Sequence, residues 1–291
     1  VILPGRAHLG HILRYVGKPL IWLLAWDVAV TAVWYFLPAH WMAFPALPVT
    51  LLGSAVAVYL SFRNTTAYAR WWEARTLWGA MVNASRTLAR ESLTLLPDPA
   101  TAVIVVRRQI AFVHALRLHL RRQSPWEELE ARLPADEIES LKQVANIPNA
   151  IHARTAEILA ASKPEPILHA TLARTLSDIS NAQGGMERIK NTPLPQQYAT
   201  YPTIFTDGFC LLLPLGLVES LGIYTPLGST VAGFLFLALL QIGNDIQNPF
   251  ENLEDDVPLT TLTRGIEIDL RDTLGEAHGL EPAKPVDGIL W

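Results

Sequence analysis

The chain carries 23 Lys and Arg residues, yet none lies between Pro19 and Phe62 and none between Asn191 and Thr263. Both gaps are strongly apolar. Crossing the core of a bilayer takes roughly 20 apolar helical residues, and the two gaps hold four such stretches: Pro19–Leu37, Ala43–Phe62, Thr203–Gly222 and Ile223–Gly243. The chain therefore reads as a multi-pass membrane protein. By the positive-inside rule, the N-terminal, central and C-terminal segments that hold the cations share the cytoplasmic side. Pro38–Met42 and the link around Gly222 then become short external turns.

The division expected is an amphipathic segment at 1–18, two spans within 19–62, a helical cytoplasmic domain over 63–202, two spans within 203–243 and a cytoplasmic segment from 244 to 291. At 50% hydrophobic and 17% charged residues the chain is too apolar for disorder. A formal net charge of -4, with the basic residues spread out, excludes nucleic acid as a partner. Cys210 is the single cysteine, so one chain can build neither a disulfide framework nor a thiolate metal site. His8 and His11 lie three apart with no carboxylate or cysteine beside them, and read as surface polar groups rather than metal ligands.

Asp27 is the lone acid of the first span and is expected to face protein rather than lipid. Trp34 and Trp41 suit an interfacial aromatic belt. The second span, AFPALPVTLLGSAVAVYLSF, has no charge and runs without a breaker into RNTTAYARWWEAR, which predicts one helix continuing to Pro97. Ile104, Ile110, Val113, Leu116 and Leu120 recur at helical spacing, predicting an amphipathic helix with Arg on its other side. Pro134, Pro148 and Pro164–Pro166 break the helical pattern beyond Leu120 into pieces. Pro214 predicts a kink in the third span.

No phosphate loop, HExxH, GxSxG or paired Cys or His cluster is present, so an enzyme is not expected. Ser54, Val58 and Phe62 are spaced by four and share one uncharged helix face. From spacing alone this face is either packing surface, with Gly53, Ala55, Ala57 and Ser61 permitting close helix contacts, or a hydrophobic constriction that several copies form around an axis. Arg63 and Arg70 are expected to meet lipid phosphates or carboxylates of a neighbouring subunit, and Trp71 and Trp72 to supply rigid packing surface.

RNTTAYARWWEARTLWG at 63–79, SNAQGGMERIKNTPLP at 180–195 and IGNDIQNPFENLEDDVPL at 242–259 resemble the signature segments of the bestrophin family, its bacterial branch in particular. The likeness spans nearly the whole chain. It implies an all-α membrane protein of four transmembrane helices per subunit plus a helical cytoplasmic domain, assembled as a homopentamer around a central pore in the bacterial inner membrane. Counted from Arg70-Trp71-Trp72, the pore neck falls on Ser54, Val58 and Phe62, where Ser54 departs from the bulkier family pattern. A weaker likeness at PNAI places a cytoplasmic aperture at Ile151.

Vertebrate bestrophins are calcium-gated anion channels with consecutive acids after NPF. Here Asn252 and Leu253 interrupt Glu251, Glu254, Asp255 and Asp256, so these acids are expected to form a solvated loop that at most attracts ions, with no metal or cofactor required. The partners expected are the protein itself, membrane lipids and permeant monovalent ions. Negative net charge and the bacterial likeness point to cations. The alternatives are an anion-selective channel, a membrane scaffold or regulatory subunit without conduction, and a proton-coupled transporter built on Asp27, Asp207 and Glu219.

Overall fold

The computed structural model describes residues 16–37 and 40–291, in which an isolated bridge between Val286 and Ile289 is the only β pairing. The histidines at 8 and 11 and most of the expected amphipathic segment lie outside the described residues. The helices are α1 (Gly17–Phe36), α2 (Ala46–Leu95), α3 (Pro99–Leu120), α4 (Trp126–Glu130), α5 (Ala135–Leu141), α6 (Ile147–Ala161), α7 (Pro166–Asn191), α8 (Gln196–Ala199), α9 (Tyr201–Leu221), α10 (Thr225–Ile246) and α11 (Leu259–Thr273). They divide into two compact units: an apolar one, running up to Arg70 and again over Pro193–Gln247, and a polar one, over Trp71–Thr192 and Asn248–Trp291. The unbroken run after Phe62 does form one 50-residue helix, so α2 belongs to both.

Among the described residues, four helical stretches are long and apolar enough to cross a bilayer: Gly17–Phe36, Ala46–Leu95, Pro99–Leu120 and Gln196–Ile246. The last contains both α9 and α10. The third is of another kind, because 15 of the 22 residues of α3 are buried inside the polar unit, Arg108 and Arg117 among them. The expected one-sided stripe is therefore not what forms. Ile104 is exposed, and Arg108 turns inward to a bidentate pair with Glu137 at 2.6 and 2.7 Å. A helix enclosed on most sides needs its charged residues neutralised, not turned to solvent.

Within the apolar unit, Leu23, Val49, Val56, Leu60, Phe209, Leu213, Leu237 and Leu240 form the core. Asp27 is fully buried, and its two oxygens accept from Ser229 Oγ at 2.9 Å and Thr230 Oγ1 at 2.8 Å, tying α1 to α10. With no water to solvate a carboxylate, partners from a neighbouring helix are what permit it there. α9 continues through Pro214 as one helix and ends at Gly222, whose φ of 54° only glycine adopts freely and whose missing Cβ would lie 2.7 Å from the Tyr35 hydroxyl.

In the polar unit, Asp98 caps α3 by accepting from the N–H groups of Ala100 and Thr101, with Pro99 in the first turn. Pro134 and Pro166 start α5 and α7, and Pro148 sits in the first turn of α6. Around α3 the side chains of Trp78, Met81, Leu88, Phe112, Leu116 and Leu129 close the core. A charged cluster runs through this packing. Both ring nitrogens of His114 face carboxylates, Glu128 on one side and Glu267 at 2.9 Å on the other. Glu267 also accepts from Arg271 at 2.9 Å and Arg132 at 3.3 Å. These bonds hold both carboxyls below their ordinary range, Glu128 at about 2.

Candidate pore-lining face

The membrane half of α2 has two opposed faces. Val49, Gly53, Val56, Leu60, Arg63 and Ala67 are buried, repeating every three or four residues. Leu47, Leu51, Ser54, Val58 and Phe62 are exposed along the opposite side, Val58 by 57% and Phe62 by 65%. Val58 lies two residues from both Val56 and Leu60, hence about 200° around the helix from each. The buried face packs on the helices of its own unit, so the sequence determines which side α2 leaves uncovered. That side carries no charge.

Its polar atoms are also turned away. Ser54 Oγ donates to the Thr50 carbonyl at 2.9 Å, Thr50 Oγ1 to Ala46 at 2.9 Å, and Thr65 and Thr66 bond back to Ser61 and Phe62 in the same manner. Such back-bonding satisfies each hydroxyl within the helix. Ser54 is thus smaller than its apolar neighbours, with its hydrogen committed.

At the end of this face, Arg63 departs from the expectation of lipid or intersubunit contact. Its side chain is fully buried, and its Nε donates to Tyr198 O at 2.9 Å while the two terminal nitrogens reach Leu240 O at 3.0 Å and Asn244 Oδ1 at 2.5 Å. Asn64 donates to Leu239 O at 2.8 Å and Arg70 Nε to Gln247 O at 2.8 Å. Gln247 closes α10, so these cations and amides meet carbonyls near the negative end of a helix dipole. A Cβ on Gly243 would overlap an Arg63 terminal nitrogen, which explains the glycine. The RNTTAYARWWEAR segment therefore fastens α2 to the end of α10.

Trp71 has the structural role expected: partly buried, with its Nε1 donating to the Asp255 carbonyl at 2.9 Å. Trp72 is 56% exposed. Ile151 does not suit an aperture, since it is fully buried in the core of the polar unit, and a side chain enclosed on every side cannot also line a lumen. Ile167, in the first turn of α7 and directly after Pro164-Glu165-Pro166, is by contrast 79% exposed.

The acids after NPF are not equivalent. Glu251 pairs with Lys190 at 2.8 Å. Asp256 is buried, with Oδ2 accepting from Leu253 N at 3.0 Å and Oδ1 without a partner among the described residues. Burial pushes its carboxyl up to about 6. The expectation that all four acids are solvated is thus corrected for Asp256: it closes the turn from inside, where Asn252 takes a φ of 67°. Among the described residues no three His, Cys, Asp or Glu side chains are grouped as a metal site.

The bacterial/fungal bestrophin family model matches residues 6–272. A voltage-dependent anion channel-forming protein of Ralstonia nicotianae is 38% identical over 249 residues, covering 81% of each chain. The voltage-dependent anion channel-forming protein YneE of Escherichia coli K12 is 34% identical over 275 residues, 92% of this chain and 90% of that one. Among solved structures, a bacterial bestrophin homologue from Klebsiella pneumoniae superposes with a TM-score of 0.85 at 27% identity, over 89% of this chain and 98% of the other.

Proposed function

Because the chain belongs to the bacterial/fungal bestrophin family, a family of ion channels, we propose that five copies surround a central pathway whose neck is the exposed face of α2 at Ser54, Val58 and Phe62. The observation that carries this reading is the uncharged face itself, uncovered beside a tightly packed opposite side. Apolar rings of this kind gate by dewetting, since the cost of hydrating an ion within them rises with their bulk. In this reading the polar unit is cytoplasmic, both termini lie on that side of the bacterial inner membrane, and Ile167 supplies a second apolar narrowing in place of Ile151.

The neck cannot choose an ion by charge, so sign selection falls to its mouths. The names of the relatives at 34–38% identity support small anions. This displaces the cation expectation drawn from the net charge, because a sum over the whole chain counts residues away from the pathway together with those along it. Cations stay as the second reading, favoured by a formal charge of -4 repeated in every subunit.

The test is current through purified protein in planar bilayers. Val58→Ala and Phe62→Ala are each expected to raise conductance, and reversal potentials in asymmetric KCl give the sign. Native mass spectrometry in mild detergent checks the pentamer. Unchanged currents in both variants, with the assembly intact, would refute the neck; silence at all voltages and salts would leave a non-conducting scaffold.

A further inference from the structure

The spans contain two carboxylates that their own packing does not satisfy, Asp207 and Glu219, both on α9. Asp27 has two hydroxyl partners, but Asp207 on α9 is exposed and makes no hydrogen bond or ion pair with any described residue. It opens into a cavity of about 250 Å³ between α1, α9 and α10, lined also by Pro19, Trp22, Trp26, Cys210 and Leu237. Trp22 and Trp26 are four apart on α1 and so share one face. Trp26 Nε1 donates to Leu211 O at 3.0 Å, which fixes the second ring against α9. The floor is closed where Leu23 packs on Gly233.

A carboxylate at membrane depth needs a cationic partner or water, and indole faces attract cations, most strongly where water is scarce. The two chemistries converge on an ammonium group. Trp22 is five residues from the start of α1 and Asp207 six from the start of α9, or roughly 8–9 Å along each helix, so both sit near one end of helices long enough to span a bilayer, toward the side where headgroups lie. Lys18 is exposed beside Pro19 and supplies a cation near this cavity for the phosphodiester of a headgroup. The other lining residues are apolar, as a hydrocarbon tail requires.

We propose that this cavity binds an ethanolamine phospholipid of the surrounding membrane, its ammonium held by Asp207 between the rings of Trp22 and Trp26. The site lies on helices apart from the α2 face and does not depend on the neck assignment. It gives the channel a point at which lipid composition is read.

The experiment places the protein in nanodiscs in which the acyl chains of either phosphatidylethanolamine or phosphatidylglycerol are brominated, and measures quenching of tryptophan fluorescence. The wild type is expected to be quenched more by the brominated ethanolamine lipid. The excess should vanish in Asp207→Asn and survive in Asp207→Glu. Equal quenching by the two lipids in the wild type, or an undiminished excess in Asp207→Asn, overturns the proposal. A second arm in detergent compares dodecylammonium with dodecanol. A preference of tenfold or more for the amine, lost in Asp207→Asn, supports ammonium recognition; that preference without any ethanolamine excess in nanodiscs overturns the lipid as occupant. Should Asp207→Asn fail to assemble, the detergent comparison decides: the amine preference is expected to survive in Asp207→Glu and to fall in the Trp22→Phe, Trp26→Phe double variant, and an undiminished preference in the double variant overturns the proposal.

Discussion

Asp256→Asn is expected to remove a defined part of the pH dependence of stability. The Asp256 carboxyl, buried with one oxygen unpartnered, lies at about 6 against an ordinary value of 3.8. A folded-state pKa above the unfolded one means that the folded chain holds the proton more tightly. Its contribution is complete below about pH 3.8 and is lost as pH rises through about 6. The full difference is about 3 kcal/mol at about 1.36 kcal/mol per unit. By pH 5 roughly half is already gone, so about 1.4 kcal/mol is left to lose between pH 5 and 8. Glu128 and Glu267, both held low, are ionised across that window and drop out. Asparagine keeps a carbonyl oxygen for Leu253 N and does not titrate. In thermal melts followed by tryptophan fluorescence, the wild type should lose about 3–6 °C more than the variant on going from pH 5 to pH 8. Parallel shifts in the two proteins would show that this carboxyl is not perturbed and refute the reasoning.

Glu267→Gln leaves His114, Arg132 and Arg271 with an anion missing among them; a loss of about 3–5 kcal/mol is expected from melts at pH 7, and the variant should lack part of the acid destabilisation that sets in below pH 4.5. Gly243→Ala drives a methyl group onto the Arg63 guanidinium, so less folded, assembled protein is expected on size exclusion, while the Gly265→Ala control, with nothing near its Cβ, should be unaffected. Currents are expected to persist in excess chelator; loss on chelation and return with micromolar calcium would show the loop after NPF to be a working cation site.

The architecture was legible because its signals are coarse and physical. Two cation-free gaps of the right length define membrane spans, and the lack of any breaker between Phe62 and Pro97 defines the long helix. The prolines at 134, 148 and 166 mark helix starts where a missing N–H costs least. What was not legible depends on which neighbour a side chain meets. Arg63, Arg108 and Arg117 look like ordinary surface arginines in a linear sequence. Only the fold reveals that carbonyls of α10, Glu137 and Glu128 surround them. Ile151 and Ile167 are likewise indistinguishable as residue types, one in a core and the other 79% exposed.

The pattern of satisfied and unsatisfied groups is what separates scaffold from function in this chain. In the apolar unit Asp27, Arg63, Asn64 and Arg70 all find partners on other helices, and Ser54 and Thr50 bond back to their own. Burying polar groups without partners would cost several kcal/mol each in hydrocarbon. Against that background two features carry the proposals: the bare apolar side of α2, and the carboxylate of Asp207, which like Glu219 finds no partner on the chain. Neither stabilises an isolated subunit. In the readings proposed above, the uncovered apolar face is completed by further copies around an axis, whereas the lone anion beside two indoles is completed by a cation. The first demands symmetry and the second a small molecule, so the two are separable by mutation: Val58→Ala should alter conductance with lipid discrimination intact, and Asp207→Asn should do the reverse.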